Sequence, residues 1–540
     1  MPSGVGHGMV LRGLTTTSNS RRFEGRFGRM FRTLPPATFA KDDLLTLATA
    51  MTAPAENGVT LENAIDDEEN FGIPAGYTYF GQFIDHDITF DPTSSLDKQN
   101  DPDSLIDFRT PRLDLDSLYG RGPDDQPYMY DPNGRLFALG TPIRGGTPLQ
   151  VLTLDLPRFR GRALIGDKRN DENVIVSQLQ GLFLRFHNML ADENPYLAFN
   201  DIQSMVRWHY QWLVLYDFLP RIVGRETVET LLPYLKHGGN IVSHPAQLKF
   251  YKYHVEPFMP VEFSGAAYRF GHSMVRPIYR LSALDLPEVR RPPTKGLGGR
   301  KAIFGADPND GLNGFRTFPD TWGIDWRLFF ETRGGKPLSP KNLGKTRVQP
   351  AYKIDTSLVT PLGALPEFSR PGSNKPRPGQ INVLALRNLE RGQALGLPSA
   401  QRVAELMGLD PIPDEQLKVG KANVNGLNRQ TGNKPITQFG KSFAQNSPLW
   451  FYVLAEAQHQ WATQAAHESG PVRKNAVHTH LGPVGGRIVA EVLIGLVLGD
   501  QNSFLNQKPN WRPSLGDPKA KNTFDRFTVG DLARAVGTPK

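Results

Sequence analysis

The stretch YFGQFIDHDITF, from Tyr79 to Phe90, sets four polar residues inside an apolar run: Gln82, Asp85, His86 and Asp87. Such groups seldom sit in an apolar run without partners. Read as a helix, Gln82, Asp85 and His86 are spaced i, i+3 and i+4 and share one face. That face offers a neutral base with an amide and a carboxylate beside it. Phe83 and Asp87 form a second i, i+4 pair, turned about 100° away. Asp87 can therefore serve an ion or a cap while the first face serves a pocket. The plainer explanation is a surface helix carrying an ion pair.

Four further stretches carry chemistry, each with an ordinary alternative. In TPRLDLDSLYG, Thr110, Asp114 and Asp116 supply hard oxygens at close spacing, as Ca²⁺ requires, although the glycine and closing glutamate of an EF-hand are missing. A polar turn is the alternative. In IGDKRNDEN, Arg169 is a permanently charged donor at a helix start; an ion pair with Asp167 or Asp171 explains it equally. In YRFGHSMVRPIYR, His272 follows a glycine that permits close approach of a flat ligand. Imidazole is a common ligand of haem iron, and the alternative is a hydrogen-bonded core histidine. In LRNLERGQALGLP, Asn388 and Arg391 are one helical turn apart. Asn388 can orient a histidine and Arg391 can hold a carboxylate such as a propionate, or both are surface residues.

The elements that must position these groups read as mainly helical. Lys41–Thr52, Asp171–Asn194, Asp201–Gly224, Ala400–Gly408, Leu449–Ala466 and Gly485–Gly499 show helical periodicity. Asp171 and Glu172 stand where a helix dipole favours anions, and Pro220 is expected to kink or end its helix. Residues 100–160 and 285–380 are rich in Pro and Gly and read as irregular chain. With few alternating patterns and no internal repeat, the expectation is one large helical domain over 71–540 with little β structure. Residues 1–70 form an arm and first helix packed on it. The basic stretch RRFEGRFGRMFR fits such an arm, anchored by Phe23, Phe27 and Phe31, better than a nucleic-acid contact.

Of 540 residues, 39% are hydrophobic and 21% charged, which allows a substantial core; 53 glycines and 45 prolines imply long connections. The net charge of +8 is mild for this length. The absence of cysteine excludes disulfides, thiolate haem ligation and Cys-based iron–sulfur or zinc sites. Ile488–Gly499 is too short for a membrane span and carries Glu491. No basic and then apolar leader opens the chain, so a soluble protein is expected. An extracellular setting would need a non-classical route.

Taken in order, the five stretches resemble the animal-type haem peroxidases of the peroxidase–cyclooxygenase superfamily. The resemblance runs from about Phe71 to about Gly408 and is strongest in GQFIDHDITF, LDLDSLYG, GDKRNDEN, RFGHSMVRP and RNLERGQALGLP. A chain of this kind without cysteine or leader is similar to bacterial members. The resemblance implies haem b. His86 would be the distal histidine, Gln82 its neighbour and Arg169 the distal arginine. His272 would be the proximal iron ligand and Asn388 the residue orienting it. Arg269 and Arg391 match arginines near the proximal side and the propionates. Asp85 and Glu172 match carboxylates that form esters with the haem periphery in this family. Asp87, Thr110, Arg112 (through its backbone oxygen), Asp114 and Asp116 match a Ca²⁺ site, Asp116 standing where many members have Ser.

The implied activity is reduction of hydrogen peroxide with oxidation of small organic donors or halides, through an oxoferryl intermediate. Asn173 stands where one mammalian member has a Met linked to haem, which excludes that link, and Thr89 replaces an Asp near a propionate. Both changes argue against strong chloride oxidation. Two alternatives remain at this level. A fatty-acid dioxygenase of the same superfamily would carry a tyrosine three residues before the proximal histidine, where this chain has Arg269. A peroxidase-like calcium-binding or adhesion protein would have no need of His86, Arg169 and His272 together.

Overall fold

In the computed structural model the described residues are 25–54, 65–90, 106–107, 109–144, 151–253, 256–283, 300–305, 311–424 and 432–537. Phe23 lies outside them.

The fold is mainly helical, with small sheets of two or three short strands around the helices. Strand β1 (Gly25–Gly28) precedes helix α1 (Lys41–Met51), which buries Leu44, Leu47, Ala48 and Met51. Strand β2 (Glu69–Pro74) leads into α2 (Gly76–Ile88). Next come β3 (Ile106–Asp107), the long α3 (Val174–Glu193), α4 (Phe199–Leu213) and α5 (Leu219–Val223). Strand β4 (Met259–Pro260) and β5 (Pro350–Tyr352) precede α6 (Leu384–Ala394) and α7 (Ala400–Met407). The apolar helices α8 (Leu449–Ala466) and α9 (Pro483–Gly499) follow and pack on each other. β1 runs antiparallel to β3 and parallel to β4, while β2 pairs antiparallel with β5 across a bulge at Pro350/Ala351.

α2 starts where β2 ends at Pro74, and the entry is tight: a Cβ on Gly76 would lie 2.4 Å from the Phe330 Cζ. Its apolar face buries Phe80 and Phe83 against α3 and α4. Phe83 stacks on Phe183 at 4.9 Å and meets Tyr210 edge-on at 6.1 Å. Each such ring contributes about 1.5–3 kcal/mol by burial, which fixes the rotation of α2 and so the direction of its polar residues. The helix ends at Thr89, whose hydroxyl donates to the Asp85 carbonyl at 2.9 Å.

One helix boundary needs correction. The helix expected from Asp171 begins at Val174. Asn173 caps it, its side-chain oxygen accepting from the Ile175 and Val176 amides at 3.1 and 2.9 Å. Lys168–Asp171 instead form a 3₁₀ turn, and Asp171 pairs with Arg158 at 2.7 Å. The helical run read over Asp201–Gly224 extends to Val223, three residues past Pro220. A buried π turn at Val214–Phe218 precedes the proline, and the Leu219 amide bonds back to the Val214 carbonyl. The wider turn absorbs the chain geometry that a proline imposes.

Glu491, in the apolar α9, is wholly buried and accepts from the Lys249, Phe250 and Tyr251 amides while pairing with Arg487. Among the described residues no helix is long and apolar enough to cross a membrane.

Candidate functional site

One wall of the site is built where the turn before α3 docks on the polar face of α2. The Arg169 guanidinium donates to the His86 carbonyl at 2.9 Å and holds Asp167 at 2.7 Å. Asn170 Oδ1 lies 2.7 Å from His86 Nδ1. Gln82 donates through Nε2 to Glu172, and its Oε1 accepts from Asn173 at 3.1 Å. A single segment, 167–173, therefore fixes the carbonyl and ring of His86 and both ends of the Gln82 amide. Asp85 accepts from the Thr89 hydroxyl at 3.1 Å.

The charges on this wall follow from burial. Burial, then the nearby Arg169, lowers the His86 imidazole to about 4, so it is a neutral base at physiological pH. Burial alone would raise Asp167, but Arg169 and Arg109 overcome it and hold the carboxyl below its usual range. The Arg169 cation also lies 4.6 Å from the centre of the Phe90 ring.

The second wall is the 3₁₀ turn Ala267–His272 together with α6. The Asn388 amide meets His272 Nδ1 at 2.9 Å. The facing amide atom is Asn388 Nδ2, which donates to Nδ1 as placed; turned over, the amide would present Oδ1 and Nδ1 would donate instead. The Arg269 guanidinium donates to the Ser264 carbonyl at 2.8 Å. Arg391 is half-buried one turn beyond Asn388.

The two walls face one another. The Tyr268 hydroxyl donates to the Gly81 carbonyl of α2 at 3.3 Å, and Arg269 feels the charges of both Asp85 and Arg169. Burial, then Arg269, lowers His272 to about 3, yet the residue keeps accessible surface. Glu172, raised to about 8 by burial and then Glu367, is likewise only half-covered. Deep groups that keep accessible surface line an internal space. Beside His272, a Cβ on Gly271 would meet nothing within 4 Å. A neutral histidine, two arginines and two carboxylates gathered at such a place fit a flat, metal-centred group with acidic substituents. Haem satisfies that description.

The Asp87 side of α2 meets the 110–117 loop. Its carboxylate accepts from the Leu115 and Ser117 amides at 3.1 and 3.2 Å and from the Ser117 hydroxyl. Leu115 adopts φ +58°, a strained value for a branched residue, so that the loop can wrap this carboxylate. Thr110 donates to Asp114 at 2.8 Å, and Asp116 pairs with Arg109 at 3.1 Å. Burial, then repulsion from Asp114, raises Asp87 to about 8. Arg112 directs its side chain to Glu256. Hard oxygens crowded in one buried loop suit Ca²⁺, although among the described residues no three His, Asp or Glu converge to hold a metal.

Sequence reasoning missed Asn170 as a neighbour of His86, and also Glu367 and Arg387, whereas the expected ion pair of Arg169 with Asp167 is present at 2.7 Å. Arg387 lies one residue before Asn388 and interacts with both Glu367 and Arg269. The only available signal was position: Asn170 directly follows Arg169.

A family model for the animal haem peroxidase domain matches residues 95–296. A peroxidase-like protein of Margaritifera margaritifera is 26% identical over 264 residues, 37% of this chain and 32% of the relative. Thyroid peroxidase of Canis lupus familiaris is 28% identical over 277 residues, 48% of this chain and 24% of the relative. The matches thus span about a quarter to a third of these relatives' length. Among solved structures, peroxidase A of Dictyostelium discoideum shares the fold with a TM-score of 0.51 and 15% identity, covering 96% of this chain and 94% of that one. A fatty acid alpha-dioxygenase of Arabidopsis thaliana gives 0.50 and 14%, covering 93% and 76%. Residues 95–296 thus match the animal haem peroxidase family, and the fold is shared with solved peroxidase and alpha-dioxygenase structures.

Proposed function

We propose that the protein is a haem-dependent peroxidase that reduces hydrogen peroxide and oxidises small organic donors or halides. Haem, when bound, supplies a ferric iron that takes up peroxide and exchanges electrons with the donor. His272 is the residue that holds the iron, through Nε2. Asn388, hydrogen-bonded at Nδ1 of His272, keeps its ring in one orientation. Arg269 and Arg391 balance the acidic substituents of the group, and Asp85 and Glu172 are the side chains available for ester links to it.

On the opposite wall, His86 accepts a proton from peroxide and returns it to the departing oxygen, the work of a neutral base with matched geometry. Arg169 keeps a permanent positive charge beside that transfer, tied by Asp167 so that it need not reorganise. Gln82 orients peroxide beside His86. Ca²⁺, bound by Asp87, Thr110, the Arg112 backbone oxygen, Asp114 and Asp116, would brace α2 next to His86.

The observation carrying this reading is the pair of histidines on facing walls, each with its own amide partner at Nδ1. The test is an optical spectrum of the full chain with and without added haem, followed by peroxide and a donor and halide screen. A Soret band that responds to peroxide and is restored by donor is expected. Rapid oxygen uptake with linoleate in the absence of peroxide would instead identify a dioxygenase. Failure to form a Soret band would leave a non-enzymatic protein.

A further inference from the structure

Asn170 makes two side-chain hydrogen bonds, both wholly inside the protein. Its Oδ1 lies 2.7 Å from His86 Nδ1, and its Nδ2 donates to Gln180 Oε1 at 2.9 Å. Asn170 and Gln180 have no accessible surface and His86 only 5%. The three residues come from three elements: the 3₁₀ turn, α3 and α2. The turn is itself pinned, the Asn170 amide to the Asp167 carbonyl at 3.1 Å and the Arg169 guanidinium to the His86 carbonyl at 2.9 Å. Asn170 cannot swivel without stranding a buried polar group.

A neutral imidazole has one donor and one acceptor nitrogen, and the partner of one decides the role of the other. Only Nδ1 of His86 has a described hydrogen-bond partner. We propose that Asn170, held in turn by Gln180, is a positioning residue that locks His86 in the Nδ1–H tautomer. The Nε2 lone pair is then available for a proton from a weak acid entering the site. This inference rests on the haem-peroxidase reading for the identity of that acid, hydrogen peroxide. Turning over both amides would keep every heavy-atom contact and reverse the donors, placing the proton on Nε2 and removing the base. The proton's position therefore decides the matter.

The test uses the full chain loaded with haem and ¹⁵N-labelled on histidine. In the diamagnetic ferrous carbonyl form, the His86 signal, identified by its loss in His86→Gln, is expected to show a one-bond N–H coupling at Nδ1 and none at Nε2. Asn170→Leu should abolish that coupling and slow cyanide association to the ferric protein by about 10–100-fold, the usual effect of losing an orienting partner. Asn170→Asp keeps an acceptor and should keep the Nδ1 proton. Should Asn170→Leu fail to fold, Gln180→Leu frees the Asn170 amide and carries the same expectation in weaker form. A proton on Nε2 in the unmodified protein overturns the proposal. So does an unchanged tautomer with an unchanged cyanide rate in the leucine variants. If His86→Ala also leaves cyanide association unchanged, the peroxidase reading itself fails; if only the Asn170 and Gln180 variants do, that reading stands and this inference alone is lost.

Discussion

Asn388 and His272, 116 positions apart in the chain, meet at 2.9 Å between a helix and a 3₁₀ turn. Asn388 is 2% exposed, so the contact is shielded from water on the α6 side. Such a partner sets both the tautomer and the basicity of a metal-binding imidazole. Asn388→Ala should therefore weaken haem binding about 10–100-fold, and His272→Ala should abolish it, with partial recovery on adding imidazole. Haem titration followed at the Soret band checks both. Equal affinity in the unmodified protein and His272→Ala would remove His272 as the ligand.

Asp167 gathers two arginines: Arg169 and Arg109 each reach it at 2.7 Å. Asp167→Asn leaves both guanidiniums short of a buried carboxylate. Arg109 still has Asp116, so a loss of about 3 kcal/mol is expected, at the low end for a broken buried pair. Arg169 also loses its tether, so peroxide reaction should slow. The pH dependence has a definite sign. The folded Asp167 is held below its ordinary value of 3.8, so the folded state binds this proton less tightly than the unfolded chain. Its contribution is present above 3.8 and is lost as the solution is acidified below it. Urea unfolding of both proteins should thus show a gap at neutral pH that closes toward strongly acidic pH. A constant gap would assign the effect to packing alone.

The split faces of α2 were legible in the sequence because both obey a local 3.6-residue period, and the Phe80/Phe83 side is fixed by burial alone. The same holds for α1, α7, α8 and α9. Strand β1 was not legible: four residues are too few for alternation, and its partners are Ile106–Asp107 and Met259–Pro260. Phe27 and Phe31, read as anchors of the arm, lie on either side of the end of that strand, with Phe31 buried in the core. The π turn before Pro220 was not legible either, because it leaves no mark on residue type. Asn170 was invisible for another reason. A small polar residue beside an arginine has no periodic signature, and its meaning comes only from docking against α2.

The Asp87 loop gives a prediction about metal removal. If Ca²⁺ binds the folded loop alone, a concentration one hundred times its Kd stabilises the protein by about 2.7 kcal/mol. Thermal melting should then shift upward with added Ca²⁺ and return on chelation. Asp87→Asn should remove that response and leave the fold intact, because the Leu115 and Ser117 amides retain a side-chain oxygen acceptor. Melting curves that do not respond to Ca²⁺ would identify the loop as a self-contained hydrogen-bonded turn.

Glu172 and Asp85 belong to different elements yet line the same internal space, and each already has one partner, Gln82 and Thr89 respectively. If these carboxylates become esters of the haem periphery, the group should resist acid–acetone extraction after peroxide turnover. Glu172→Gln and Asp85→Asn should each loosen it in part, and the double variant should release it fully. The comparison with protein never exposed to peroxide separates covalent attachment from tight binding: only the former depends on turnover. Complete extraction from the unmodified protein after many turnovers would leave Glu172 and Asp85 as hydrogen-bonding and charge-balancing residues of the wall.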